Sequence, residues 1–148
     1  MGYRAQALFA AVLGRLGAQI EDVARVGHPD VLARLGGRRL RVQVKCTGSG
    51  TFGISSADLE GIRPAAAEEE GYLAMLDLGP PVAWICVAYS KIRSFADRPL
   101  PLAMLVAMAD PAFSDECTGT FAELIIEYRD SIEAFTFSLV RRRALSGH

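Results

Sequence analysis

HPDVLARLGGRRLRVQVKCT, residues 28–47, is the stretch whose reading decides the fold. It sets Asp30, Gln43 and Lys45 among valines, leucines and arginines, with Gly36-Gly37 as its break. Gly-Gly is a favoured two-residue loop for a β-hairpin. Taken that way, the loop pairs Leu35 with Arg38, Ala33 with Leu40, Val31 with Val42 and Asp30 with Gln43. Side chains alternate between faces along each strand. Val31, Ala33, Leu40, Val42 and Val44 then share an apolar face, and Asp30, Leu32, Arg41, Gln43 and Lys45 share the other. Directly opposed residues have Cβ atoms about 4.5–5.5 Å apart. The oxygens of Asp30 and Gln43 therefore come within reach of a single ion, with Lys45 one pleat further on. A slip of one residue in register would scatter the cluster.

Outward from the hairpin, YRAQALFAAVLGRL (residues 3–16) is rich in helix formers. Leu8, Val12 and Leu16, with Phe9 and Leu13, mark an apolar stripe on it, and Gly17 stops the helix. Residues 18–26 form a first strand, ended by Gly27-His28-Pro29, and residues 30–35 and 38–46 are the two hairpin strands. After the Gly-rich loop TGSGTFG (residues 47–53), Ser55 or Ser56 caps a helix that runs toward Glu70 and that Pro64 splits or kinks. YLAMLDL (72–78) and VAWICVAY (82–89) read as buried strands around Gly79-Pro80-Pro81. PLAMLVAMAD (101–110) reads as a helix, and residues 119–139 as a helix or a helix leading into a strand. Helix, three strands, helix and two strands define an α/β domain with a mixed sheet. Residues 3–90 are its core, and 91–148 are a mostly helical C-terminal extension of the same single domain.

The chain has 148 residues, about half of them apolar, which suits one globular domain. Its longest apolar run, LAMLVAMA (102–109), falls well short of the roughly 20 residues that a membrane helix needs. The first residues lack the pattern of a secretory signal. Cys46, Cys86 and Cys117 are widely spaced and read as reduced thiols of a cytoplasmic protein. The net charge of −1 conceals an asymmetry: residues 1–45 carry eight Arg or Lys against three acids, and residues 46–140 carry five against fourteen. A basic first third suits a polyanion-binding face, although Arg15, Arg34, Arg38 and Arg39 could equally be solvated. No Walker lysine follows the Gly-rich loop, and two histidines with scattered cysteines assemble neither a Ser-His-Asp triad nor a zinc site.

Pro29-Asp30 followed across the hairpin by Gln43-Val44-Lys45 resembles the PD-(D/E)xK nuclease superfamily. The likeness extends over residues 3–90. In layout it is similar to archaeal Holliday-junction resolvases, and in using Gln-x-Lys it is similar to modified-DNA restriction endonucleases. The resemblance implies a restriction-endonuclease-like mixed sheet flanked by helices, with an α-β-β-β-α-β core. It also implies a metal-dependent endonuclease that hydrolyses DNA phosphodiesters with Mg²⁺ or Mn²⁺, and that cuts particular DNA structures. Asp30 would be the carboxylate ligand, Gln43 an amide-oxygen ligand and the Val44 carbonyl a further ligand. Lys45 would orient or deprotonate the attacking water. Arg38, Arg39, Arg41 and Ser49 are the candidate DNA contacts, and a homodimer would set two sites on two strands, with Pro99–Met108 as part of its interface.

Two positions depart from the superfamily pattern. Gln6 stands where members often carry a helix Glu, and Gln43 replaces the usual acid, which leaves one formal negative charge in the cluster. Glu21 or Asp22 is a candidate for a second carboxylate. The alternative function is a non-catalytic nuclease-fold protein that binds nucleic acid or a protein partner. Plainer roles compete for single residues: Asp30 as a turn residue after Pro29, Lys45 and Arg41 as polar residues of a solvated strand face, His28 as a turn former, and Trp84 and Tyr89 as core of a central strand.

Overall fold

Gly36 (φ +58°) and Gly37 (φ +81°) both take the left-handed conformation that a tight type I′ hairpin requires. They join β2 (Val31–Leu35) to β3 (Arg38–Thr47), in the register Leu35–Arg38, Ala33–Leu40 and Val31–Val42 that the sequence predicts. The computed structural model describes the backbone of residues 2–23, 29–48 and 50–146, and the side chains of residues 4–23, 29–48 and 50–129.

Helix α1 (Gly2–Arg15) leads into β1 (Gln19–Val23), which pairs antiparallel with β2. Beyond the hairpin come β4 (Thr51–Phe52), α2 (Ser56–Ile62), β5 (Glu69–Asp77) and β6 (Ala83–Ala88). The chain closes with α3 (Tyr89–Ile92), β7 (Leu100–Pro101), α4 (Leu102–Met108) and the 36-residue α5 (Pro111–Ser146). The main sheet has five strands in the order β1-β2-β3-β5-β6, and β3 and β5 run parallel. A parallel pair needs a crossover, and α2 provides it.

The sheet separates two cores. Val31, Ala33, Leu40, Val42 and Val44 meet α1 and α5 on one face, through Phe9, Leu13, Cys117 and Phe121, with Trp84 of β6 in the same cluster. Leu73, Met75, Ile85 and Val87 meet α2, α3 and α4 on the other, through Leu59, Ile62, Ile92 and Leu105. Covering both faces makes β5 almost continuously buried, as its apolar sequence requires.

Several expectations are corrected. In α1 the predicted stripe residues Phe9, Val12 and Leu13 are buried and Leu16 packs against the core, but Leu8 is exposed and Ala5 takes its place, so the helix is rolled slightly from the expected face. Helix α2 ends at Ile62 and does not approach Glu70, because Pro64 cannot continue it. Residues 119–139 are helical throughout. Trp84 is core as expected, but β6 is an edge strand, and Tyr89 opens α3. The C-terminal segment is more than an extension: Cys117 and Phe121 of α5 belong to the first core.

One contact fixes how closely α2 lies to the sheet. A Cβ on Gly71 would stand 1.8 Å from the Ile62 carbonyl oxygen, so a side chain there must push backbone apart. Gly119, in contrast, lies inside α5 with nothing within 4 Å of its would-be Cβ. Gly71→Ala is expected to destabilise the fold by about 3 kcal/mol. Gly119→Ala is expected to stabilise it by up to about 1 kcal/mol. Urea titration of both variants checks the pair.

Candidate functional site

The hairpin ladder stops just short of Asp30, and the Asp30 carboxylate takes over as acceptor. In the established register the next hydrogen-bonded partner of Val44 would be Pro29. Pro29 has no N–H to give to the Val44 carbonyl, although its own carbonyl could accept the Val44 N–H. The Val44 N–H donates instead to Asp30 Oδ2, at 2.9 Å and buried. Within a strand, a residue's N–H and C=O point toward the same neighbour. The Val44 carbonyl therefore faces the Asp30 side of β3, where Pro29 cannot donate to it. Asp30 and Gln43 are 5% and 4% exposed, so the acid and the amide are enclosed in the structure.

Lys45 is the member of the motif that reaches open space. Its side chain is one-third exposed, and its Nζ lies 3.0 Å from Asp58 Oδ2. Asp58 belongs to the first turn of α2, where it forms a capping box: its N–H donates to Ser55 Oγ (3.0 Å) and its Oδ2 accepts the Ser55 N–H (3.1 Å). Burial pushes the Asp58 carboxyl upward, but the Lys45 ammonium and the Ser55 hydrogen bonds outweigh it and hold the group below its usual range. Lys45 and Asp58 open onto a cleft of about 680 Å³ lined also by Thr51, Phe52, Ser55, Asp97 and Arg98. Asp30 and Gln43 do not line it.

A short ribbon forms the far wall of the cleft. β4 pairs with β7, and Leu102 N–H donates to the Gly50 carbonyl at 2.9 Å. Asp97, at φ +58°, donates its N–H to the Ile54 carbonyl (2.8 Å) and accepts from Ser56 Oγ (2.6 Å). The Gly-rich loop is thus partly built into structure. Ser49, within it, lies outside the described residues, as does His28.

The three candidate arginines sit toward the other end of β3 and are ion-paired. Arg38 meets Glu70 (3.0 Å); Arg39 meets Glu21 (3.0 Å) and Glu69 (3.4 Å); Arg41 meets Glu69 (3.6 Å). Arg41 Nε also donates to the Gly61 carbonyl at 3.1 Å, tying β3 to α2. Glu21 is occupied by Arg39 and Arg34. Gln6 is buried in α1, and among the described residues its Oε1 has no hydrogen-bond partner. A buried acceptor left so costs about 1–3 kcal/mol.

The donors around Asp30 are hard oxygens: a carboxylate, the Gln43 amide and the Val44 carbonyl. That set suits Mg²⁺ or Mn²⁺ in type, although one carboxylate is few. Among the described residues no group of three or more His, Cys, Asp and Glu could hold a metal. The cleft residue that the sequence did not single out is Asp58, the partner of Lys45. Its signal was the S-x-x-D capping pattern, Ser55 to Asp58, directly after the lysine strand.

The five-stranded mixed sheet flanked by helices is the restriction-endonuclease-like fold. A solved structure of this fold, Hjc, a Holliday junction resolvase from the archaeal hyperthermophile Archaeoglobus fulgidus, matches it with a TM-score of 0.59. The two are 20% identical, and the match covers 73% of this chain and 93% of that one. No protein-family model and no curated protein matches the sequence.

Two buried carboxylates tie α2 and its flanks to the sheet. The Ala65 N–H bonds Glu69 (2.7 Å) and, with Arg41 and Arg39, holds its carboxyl below the usual range against the opposing effect of burial. Carboxyls depressed in the folded state stabilise it above their unfolded values, about 4.3 for Glu and 3.9 for Asp. That stabilisation is lost as pH falls through the lower folded values. The urea midpoint of the wild type is therefore expected to drop between about pH 5 and pH 3. Glu69→Gln should lower the midpoint at neutral pH and flatten the acid limb.

Proposed function

We propose that this protein is a metal-dependent endonuclease that hydrolyses DNA phosphodiester bonds at Asp30, Gln43 and Lys45, and that it selects particular DNA structures. The observation that carries the reading is the hydrogen bond from the Val44 N–H to Asp30. It fixes the one acid of the motif beside the strand segment that carries Gln43, the Val44 carbonyl and Lys45. The fold is the one in which a Holliday junction resolvase is built, which supports DNA as the substrate class.

Mg²⁺ or Mn²⁺ would be held by Asp30, the Gln43 amide oxygen and the Val44 carbonyl, and would supply Lewis-acid polarisation of the phosphoryl group and a water of lowered pKa. Lys45, at the cleft, places a compact positive charge against the scissile phosphate and orients the attacking water. With one carboxylate the protein alone would hold such an ion weakly, and a DNA phosphate would add oxygen ligands. A two-fold homodimer would bring one site to each strand of a duplex or junction, and the exposed Met104 and Val106 of α4 belong to the segment proposed for its interface. The protein would act in the cytoplasm.

Burial of Asp30 and Gln43 favours a second reading, in which the fold binds nucleic acid or a protein partner without cutting. Cleavage assays on plasmid, forked and four-way-junction DNA with Mg²⁺, Mn²⁺ or EDTA separate the two. Asp30→Asn keeps an acceptor for the Val44 N–H and removes only charge. It and Lys45→Ala should each lower metal-dependent cleavage at least about 100-fold. Lys45→Ala should leave DNA affinity within about tenfold, since phosphate contacts are spread over many basic residues. Gln43→Glu should tighten metal binding. Unchanged cleavage in Asp30→Asn and Lys45→Ala would place the chemistry elsewhere, and cleavage that appears only in Gln43→Glu would favour the binding reading.

A further inference from the structure

Lys45 and Lys91 are the two lysines of the chain, and their surroundings differ. Lys91 is exposed on α3. Lys45 lies 3.0 Å from an Asp58 carboxylate that is 9% exposed and fixed by the capping box of α2. A lysine head on a four-carbon stem samples many positions unless something holds it. Here the cap aims the carboxylate, and the carboxylate aims the ammonium. The other charged groups of the cleft are engaged otherwise: Asp97 accepts from Ser56 Oγ, and Arg98 donates to the Ser94 carbonyl while lying over the Phe95 ring.

We propose that Asp58 is the positioning residue of this site, holding the Lys45 ammonium in place at the cleft and supplying there a negative charge that the neutral Gln43 lacks. The catalytic meaning of that role rests on the nuclease reading of Lys45; the pairing itself does not. It links the N-terminus of the crossover helix to the motif strand, so the lysine is set by tertiary packing as well as by strand register.

The test uses the full-length protein, free of metal and DNA, and a limiting amount of an acetyl N-hydroxysuccinimide ester. Peptide mass spectrometry reads the labelling of Lys45 relative to Lys91. An amine engaged by a buried carboxylate is less available to the ester than one in open solvent. In the wild type Lys45, paired and one-third exposed, should label below Lys91. Asp58→Asn, similar in shape and still able to accept the Ser55 N–H, should raise the Lys45/Lys91 ratio about threefold, as the loss of a partly exposed ion pair implies. Asp58→Glu should keep most of the protection. An equal ratio in wild type and Asp58→Asn overturns the proposal. Should Asp58→Asn fail to melt cooperatively, Asp58→Glu decides: a low ratio supports the pairing, and a ratio near that of the unfolded chain overturns it.

Cleavage is measured beside labelling. Asp58→Asn should lower kcat about 10- to 100-fold, the usual loss when a group that orients a site residue is removed. Its DNA affinity should stay within about twofold. Raised labelling with unchanged kcat overturns the positioning role. A wild type that cuts no DNA removes the nuclease reading, and the labelling ratio then judges the pairing alone.

Discussion

Two left-handed glycines set where Gln43 and Lys45 fall relative to Asp30. Gly36 and Gly37 close a loop of two residues, and a loop of that length admits one register for β2 against β3. Because side chains alternate, that register sends Val42 and Val44 into the core with α1 and α5, and turns Gln43 and Lys45 toward α2. Pro29 then ends the ladder where the acid begins, and the Val44 amide turns to Asp30. The same proline, lacking an N–H, offers the Val44 carbonyl no strand donor. Loop, proline and acid are thus a single device.

The hairpin was legible because its determinants are local: Gly-Gly, a period of two, and an apolar face that tolerates no slip. The helix-strand-strand-strand-helix-strand order was legible for the same reason. Less could be read where neighbours decide. The roll of α1 depends on what packs against Phe9, which is Trp84, some 75 residues later, with ring centroids 4.8 Å apart. The two-residue strands β4 and β7 have no periodicity to detect, and their pairing joins positions about 50 residues apart. The long helix α5 carries a mixed apolar pattern, and only its contacts with β6 and α1 show which part belongs to the core.

The site divides along the same line. Asp30, Gln43 and Lys45 were found by their spacing, but their fates differ. The acid and the amide are enclosed, and the lysine reaches the cleft. That difference arises because α2 crosses the face of the sheet that the motif occupies, as a parallel connection from β3 to β5 requires. The arginines on and beside the hairpin looked like a basic face in one dimension. Folding brings Glu69 and Glu70 of β5 beside them, since parallel pairing aligns Arg39 with Glu69 and Leu40 with Glu70. A charge run read without its partner strand overstates the positive surface.

The central claim is that Asp30, with Gln43 and the Val44 carbonyl, holds a divalent ion when DNA is present. Bound Fe²⁺ can stand in for Mg²⁺, and with ascorbate and peroxide it cuts the polypeptide close to where it sits. Mass spectrometry of the fragments, with and without a four-way junction carrying non-hydrolysable phosphorothioate linkages, reads the position directly. The prediction is DNA-dependent cutting around residue 30 and residues 43–45, competed by Mg²⁺ and lost in Asp30→Asn. Cutting centred elsewhere, or a pattern that Asp30→Asn leaves unchanged, would contradict it.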